Sequence, residues 1–192
     1  MSYTYGYLKQ AILTKLDLHE SDLSDDNLFG KIPYYINEMM TQICSTIKPK
    51  HTHCYFEISK DEVFKIFDMP EDFISFGSEV NLVNDDCSLT RLSTSEYRYL
   101  NYNQISFNKP GIYYVAYNAL WFTFTSDITN DTVINVPRDI LECIPAYVAS
   151  QYYKADDDAK AAIFRNEFEI LFSRIDDSRI NNSNTIHIDG GW

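Results

Sequence analysis

Residues 136–176 read VPRDILECIPAYVASQYYKADDDAKAAIFRNEFEILFSRID, and three consecutive aspartates stand in the middle of this strongly helical stretch. If Asp156, Asp157 and Asp158 bind a metal or move protons, an enzyme or a sensor is indicated. If they separate two helices, the protein works by packing. As a calcium loop starting at Asp156, Asp158 would be position 3 and Glu167 position 12. Position 5 would then be Lys160, and position 6, where the sharp turn needs glycine, would be Ala161. The punctuation reading fits every residue. Asp156 caps the last helix, and Asp157 and Asp158 lie in its positive first turn. Upstream, Pro137 suits the first helical position and Asp139 the first turn, with Ile140, Ile144 and Val148 as an apolar stripe. Pro145 falls inside that helix and is expected to bend it. Downstream, Phe164, Phe168, Leu171 and Ile175 share one face.

Working outward, Leu8, Ile12 and Leu16 mark a first helix over about residues 4–16. A polar connector, DLHESDLSDD, offers Ser24 or Asp25 as the cap of a second helix. Ile32, Ile36, Met39, Ile43 and Ile47 repeat along it. Pro33 starts or kinks it, and Lys48-Pro49 ends it. The pair predicts an antiparallel helical hairpin. From Cys54 the period shortens. CYFEI and EVFKIF predict one β-hairpin, and ISFNKPGIYYVAY a second, turning at Asn108–Gly111. LWFTFT would continue the meander, and TVINV would add a strand. Ser93 to Glu96 has the spacing of a capping box. The fold class is therefore α+β: a bundle of about four helices, two N-terminal and two C-terminal, with an inserted antiparallel β-meander. The parts are 1–50 (helical hairpin), 51–136 (β-rich insertion), 137–177 (helix pair) and 178–192 (extended arm).

The chain has 192 residues, 45% apolar, a net charge of −12 and a pI near 4.6. That acidity opposes tight wrapping by nucleic acid. No run resembles a signal peptide or a membrane span, so a soluble protein made in a cytosol is expected. Cys44, Cys54, Cys87 and Cys143 then read as free thiols, and the sequons at Asn130 and Asn181 carry no meaning. His51, His53 and Cys54 are close, but a fourth zinc ligand would have to come from Cys44 or from far away. His19 and His187 are isolated. No nucleophile elbow or glycine-rich phosphate loop occurs. Tyr97, Tyr99, Tyr102, Tyr113, Tyr114 and Tyr117 could form a platform for sugars or bases. Few cations are interleaved, and cross-strand packing is the simpler account.

Three stretches together resemble the head-to-tail adaptor (connector) proteins of tailed bacteriophages: SDDNLFGKIPYYINEMMTQI at 24–43, the block from Gly111 to Asp176, and the tail HIDGGW. Residues 69–104 depart from that pattern. The resemblance implies a structural virion protein with no catalysis, cofactor or metal. It implies a dodecameric ring of neighbouring adaptor subunits beneath the portal protein. Downstream tail or neck proteins would bind below, and DNA would pass through without specific binding. The location would be the virion neck, after synthesis in the bacterial cytoplasm, without a membrane. The C-terminal segment in such adaptors docks on the portal. Here Ile186 and Ile188 alternate in an extended stretch, and Trp192 follows Gly190-Gly191, so these three are the expected contacts with the portal or a neighbouring subunit. Alternatives are another neck or tail-completion protein, a carbohydrate-binding module, or a small enzyme.

Overall fold

The computed structural model describes residues 3–19, 26–62 and 64–183, except for the side chains of 26–29 and 176–183. Ile186, Ile188 and Trp192 lie outside the described residues, as do the proposed caps Ser24 and Asp25. The chain forms two compact units, one drawn from Met1–Ile43 and Phe122–Trp192, the other from Cys44–Trp121. No described helix is long and apolar enough to cross a membrane.

The first unit contains α1 (Tyr5–Leu16), most of α2 (Asp26–Thr46), α3 (Arg138–Tyr153) and α4 (Asp158–Ser183). Thr4 caps α1 by accepting from the Tyr7 N–H. The next free amides at that end, Tyr5 and Gly6, donate to the Thr132 and Asn130 carbonyls, 2.9 and 2.8 Å away. At the other end Asp17 takes the left-handed conformation. The amides of Asp17 and Leu18 return to the Thr14 and Leu13 carbonyls, closing the helix as a Schellman turn. The Tyr153 hydroxyl donates to the Leu16 carbonyl at 2.9 Å.

Central to this unit is α3. Ile140, Ile144 and Val148 are fully buried, as the stripe required, but so are Cys143 and Ala149, and Leu141, Ala146, Tyr147 and Ser150 are nearly so. A helix apolar all round is covered on more than one side. Here α1 and α4 lie against α3, and Glu38 of α2 is near enough to Tyr147 to help raise its hydroxyl pKa, after burial. Phe168 and Ile175 supply the buried face of α4. This is the α+β arrangement of helices and antiparallel sheet that the sequence predicts.

In the second unit every strand pairing is antiparallel. β1 (Lys50–Ile58), β3 (Phe73–Val83), β4 (Leu89–Arg91) and β7 (Gly111–Ala119) form a sheet in the order β1-β7-β3-β4. β2 (Lys65–Asp68), β5 (Tyr97–Leu100) and β6 (Gln104–Phe107) form another in the order β2-β6-β5. Ile58, Val80, Tyr113 and Val115 of the first sheet and Ile105 and Phe107 of the second share one core. Phe107 stacks on Tyr113 with centroids 3.8 Å apart.

Several expected pairings are corrected. CYFEI and EVFKIF do not form a hairpin, because β1 pairs with β7 and β2 with β6. Asn108–Gly111 is a corner between sheets rather than a hairpin turn, since β6 and β7 belong to different layers. LWFTFT forms no strand, and of TVINV only Val133 bridges, to Thr4. Residues 122–136 fall in the helical unit. α4 continues to Ser183, past the expected start of the arm at 178.

Candidate functional site

Within the described residues, the aspartates, the histidines with Cys54, and the tyrosines singled out by the sequence each have a definite place, whereas Ile186, Ile188 and Trp192 lie outside them. The aspartates are helix punctuation, shifted by one residue from the expected cap. Asp157 caps α4, its carboxylate accepting the Lys160 N–H at 3.0 Å, and α4 begins at Asp158. The Asp156 and Asp157 amides close the preceding turn on the Tyr153 carbonyl. Lys160 lies over the Tyr153 ring.

Strand alternation separates the histidines from Cys54. His51 and His53 are on the exposed side of β1, while the Cys54 thiol turns inward toward the Val115 carbonyl. Burial, with Asp72 nearby, pushes that thiol up to about 11. Among the described residues no group of three His, Cys, Asp or Glu could hold a metal ion.

The six tyrosines do not share a surface. Tyr113 and Tyr117 are core residues whose hydroxyls donate to the Lys109 carbonyl and the Asp72 carboxylate. Tyr99 stacks on Phe76 at 3.9 Å, and Tyr102 is 83% exposed. Tyr114 alone faces outward from the four-stranded sheet. There it joins residues that the search for tyrosines passed over. His53 stacks on Tyr114 at 4.7 Å and Tyr55 packs edge-on against it at 5.7 Å. Beside them Gly77 packs closely on Ala116. Next comes a polar row, with His51 Nδ1 2.8 Å from Asn118 Oδ1 and Asn118 donating to Ser75 at 2.9 Å.

The helical unit presents a second surface that the sequence reading missed. Ile163 and Ile170 of α4 are 63% and 56% exposed. They are seven residues apart, hence on one line, and lie about 140–160° around the helix from the buried Phe168. The spacing was visible in the sequence, overshadowed by the stronger stripe of Phe164, Phe168, Leu171 and Ile175. In the same unit a groove of about 250 Å³ opens between α1 and α3. Leu8 and Leu141 form its floor, and Tyr7, Ala11 and Pro145 its walls. At one end the Arg138 guanidinium donates to Glu142 at 2.7 Å.

No family model matches the chain, and no curated protein matches it. Among solved structures it is similar to one described as the neck of a native GTA particle, computed with C12 symmetry. Identity is 12%, the TM-score is 0.32, and the match covers 91% of this chain and 93% of that one. The likeness is one of chain outline, and no residue's role follows from it.

Proposed function

We propose that this chain is a structural neck protein of a tailed-phage-like virion, a head-to-tail adaptor whose copies ring the axis beneath the portal and join head to tail. The observation that carries the reading is α4: a long helix with an apolar face in the core and a second apolar face, at Ile163 and Ile170, left open. Two branched aliphatic side chains exposed on one line of a helix that is already buried on its other side are available for a contact with another chain. The block from Gly111 to Asp176, one of the three stretches on which the resemblance rests, supplies this helix, its acidic cap and the central helix it packs on. In the same reading Ile186, Ile188 and Trp192 contact the portal or a neighbour, and DNA passes without specific binding.

A structural role also suits the ionisation pattern. Among the described residues, the carboxylates with shifted pKa, those of Asp86, Glu96 and Asp127, are held low by nearby hydroxyls or amides. Among the described residues, burial is the first cause for the tyrosines and cysteines that are pushed upward, while Arg138 is raised by its hydrogen bond to Glu142. Neither set is a pair of carboxylates poised as acid and base. Cryo-electron microscopy of the virion that incorporates this chain tests the proposal. Copies arranged as a closed ring directly below the portal are expected. A chain absent from purified virions, or present as a single copy away from the axis, overturns it.

A further inference from the structure

We propose that the ring is built by one heterologous contact in which the outer line of α4 on one copy seats in the α1–α3 groove of the next copy. The inference rests on the neck reading for why the contact should close into a ring, but the contact is a property of this chain alone.

The outer line of α4 runs Ala159, Ala162, Ile163, Asn166, Ile170, Ser173, all exposed. None is charged, although 23% of the chain is. Charge stands at its flanks, where Arg174 is exposed one turn beyond Ile170, Arg165 donates to Glu169 at 2.9 Å, and Glu167 is bound to Lys15 of α1. A helix facing water permanently would carry charge on this line.

The groove has the opposite shape. Two of its lining residues, Ala11 and Pro145, have short side chains. Pro145 also has no N–H to offer the Leu141 carbonyl four residues earlier, so the α3 ladder is interrupted where the groove lies. An incoming ridge with branched aliphatic side chains and one amide donor, Ile163, Asn166 and Ile170, matches an apolar trough beside an acceptor lacking its helical partner.

Self-pairing of two ridges is the competing arrangement. It would set two convex surfaces together and leave the groove empty. Antiparallel pairing centred between Ile163 and Ile170 would also bring the Glu167 carboxylates of both copies toward each other. Ridge in groove uses two different patches, which generates a ring when the rotation closes.

The contact is small. The line from Ala159 to Ser173 is about 22 Å long at 1.5 Å per residue, so it covers a few hundred Å². A stable complex buries about 800 Å² per partner. Isolated pairs should therefore be transient, and closure, in which every copy makes the contact twice, should hold the ring.

Disulfide trapping at high protein concentration tests this, in a Cys87→Ser background that removes the exposed native thiol. Ile170→Cys marks the ridge and Tyr7→Cys the groove, both at exposed positions. Mixing the two single variants should give ridge–groove dimers about tenfold faster than either variant alone or a Gln10→Cys control, as proximity raises effective concentration. A chain carrying both should give a ladder of dimer, trimer and higher species. Adding Ile163→Asp should suppress the ladder while circular dichroism stays unchanged. Predominant ridge–ridge dimers, or trapping no faster than the control, overturns the proposal. Trapping as expected in a chain absent from the neck would instead defeat the functional reading and leave this contact standing.

Discussion

Asn37, in the middle of α2, pairs with the backbone of Phe124 as a neighbouring strand would. Its side-chain amide donates to the Phe124 carbonyl at 2.7 Å, and its carbonyl accepts the Phe124 N–H at 2.8 Å. Phe124 is buried, and no β-ladder satisfies its peptide groups. Asn37→Leu deletes both bonds and strands both groups. A loss of about 2–4 kcal/mol is expected in urea unfolding. A loss below about 0.5 kcal/mol would show that water replaces the amide.

Two glycines should respond in opposite directions to alanine. At Gly77 an added Cβ would fall 2.8 Å from the Ala116 carbonyl oxygen, a backbone atom of β7. Gly77→Ala should cost about 1–3 kcal/mol. At Gly30, inside α2, nothing lies within 4 Å. Gly30→Ala should stabilise by about 0.5–1 kcal/mol, because helix formation no longer freezes a glycine. Midpoints of thermal unfolding for the two variants should bracket the parent.

The cap of α4 distinguishes adjacent aspartates. Asp157→Ala removes the acceptor for the Lys160 N–H, and about 1 kcal/mol should be lost. Asp156→Ala should change stability by less than half of that. Equal effects would mean that general charge, not the cap, matters.

Thiol chemistry should report burial. Cys143 is fully buried, and desolvation, with Asp139 and Glu142 nearby, pushes it from 9.0 up to about 12. Cys44 is raised by burial as well. A raised folded-state value means stability that is complete below about pH 9 and is lost as pH rises toward the folded value, since the unfolded chain ionises first. Melting temperature should therefore fall above pH 9. In native protein a thiol reagent should label exposed Cys87 first, and Cys143 only on unfolding.

Deleting residues 184–192, which begin just after α4, tests the portal contact assigned to Ile186, Ile188 and Trp192. The melting temperature should stay within about 2 °C of the parent, while attachment to portal-bearing heads is lost. Normal attachment by the truncated chain would remove these residues from the interface.

The helices were legible in the sequence because their signal is local. Ile140, Ile144 and Val148 need only the 3.6-residue period to be recognised, and all three are fully buried. The sheets were legible as strands but not as pairings. Asn108-Lys109-Pro110-Gly111 has the composition of a hairpin turn, yet the residues that decide β7's partners are Lys50–Ile58 and Phe73–Val83, far off in sequence. LWFTFT alternates like a strand, but its backbone is claimed by a side chain of α2, which no local pattern reveals. The outward line of α4 was hidden for a different reason. A helix apolar on two faces has no single stripe, and the stronger one, through Phe168, absorbed the reading. The expected partner contacts at the end of the chain lie outside the described residues.

The β-unit begins and ends at one place: Lys50 pairs with Ala119, and the Trp121 indole donates to the Lys48 carbonyl at 2.9 Å. The helical unit is consequently split in time as the chain is made. α1 leaves the ribosome with Leu8, Ile12 and Leu13 seeking α3, which starts at Arg138. At about 5–20 residues per second, that partner arrives roughly 6–25 s later. The sheets, contiguous in sequence, can fold during the wait. The β-module can thus be complete while α1 still lacks the helix it packs on. In the proposed assembly a copy could not join its neighbour through α4 until that helix, the last in the chain order, has been made.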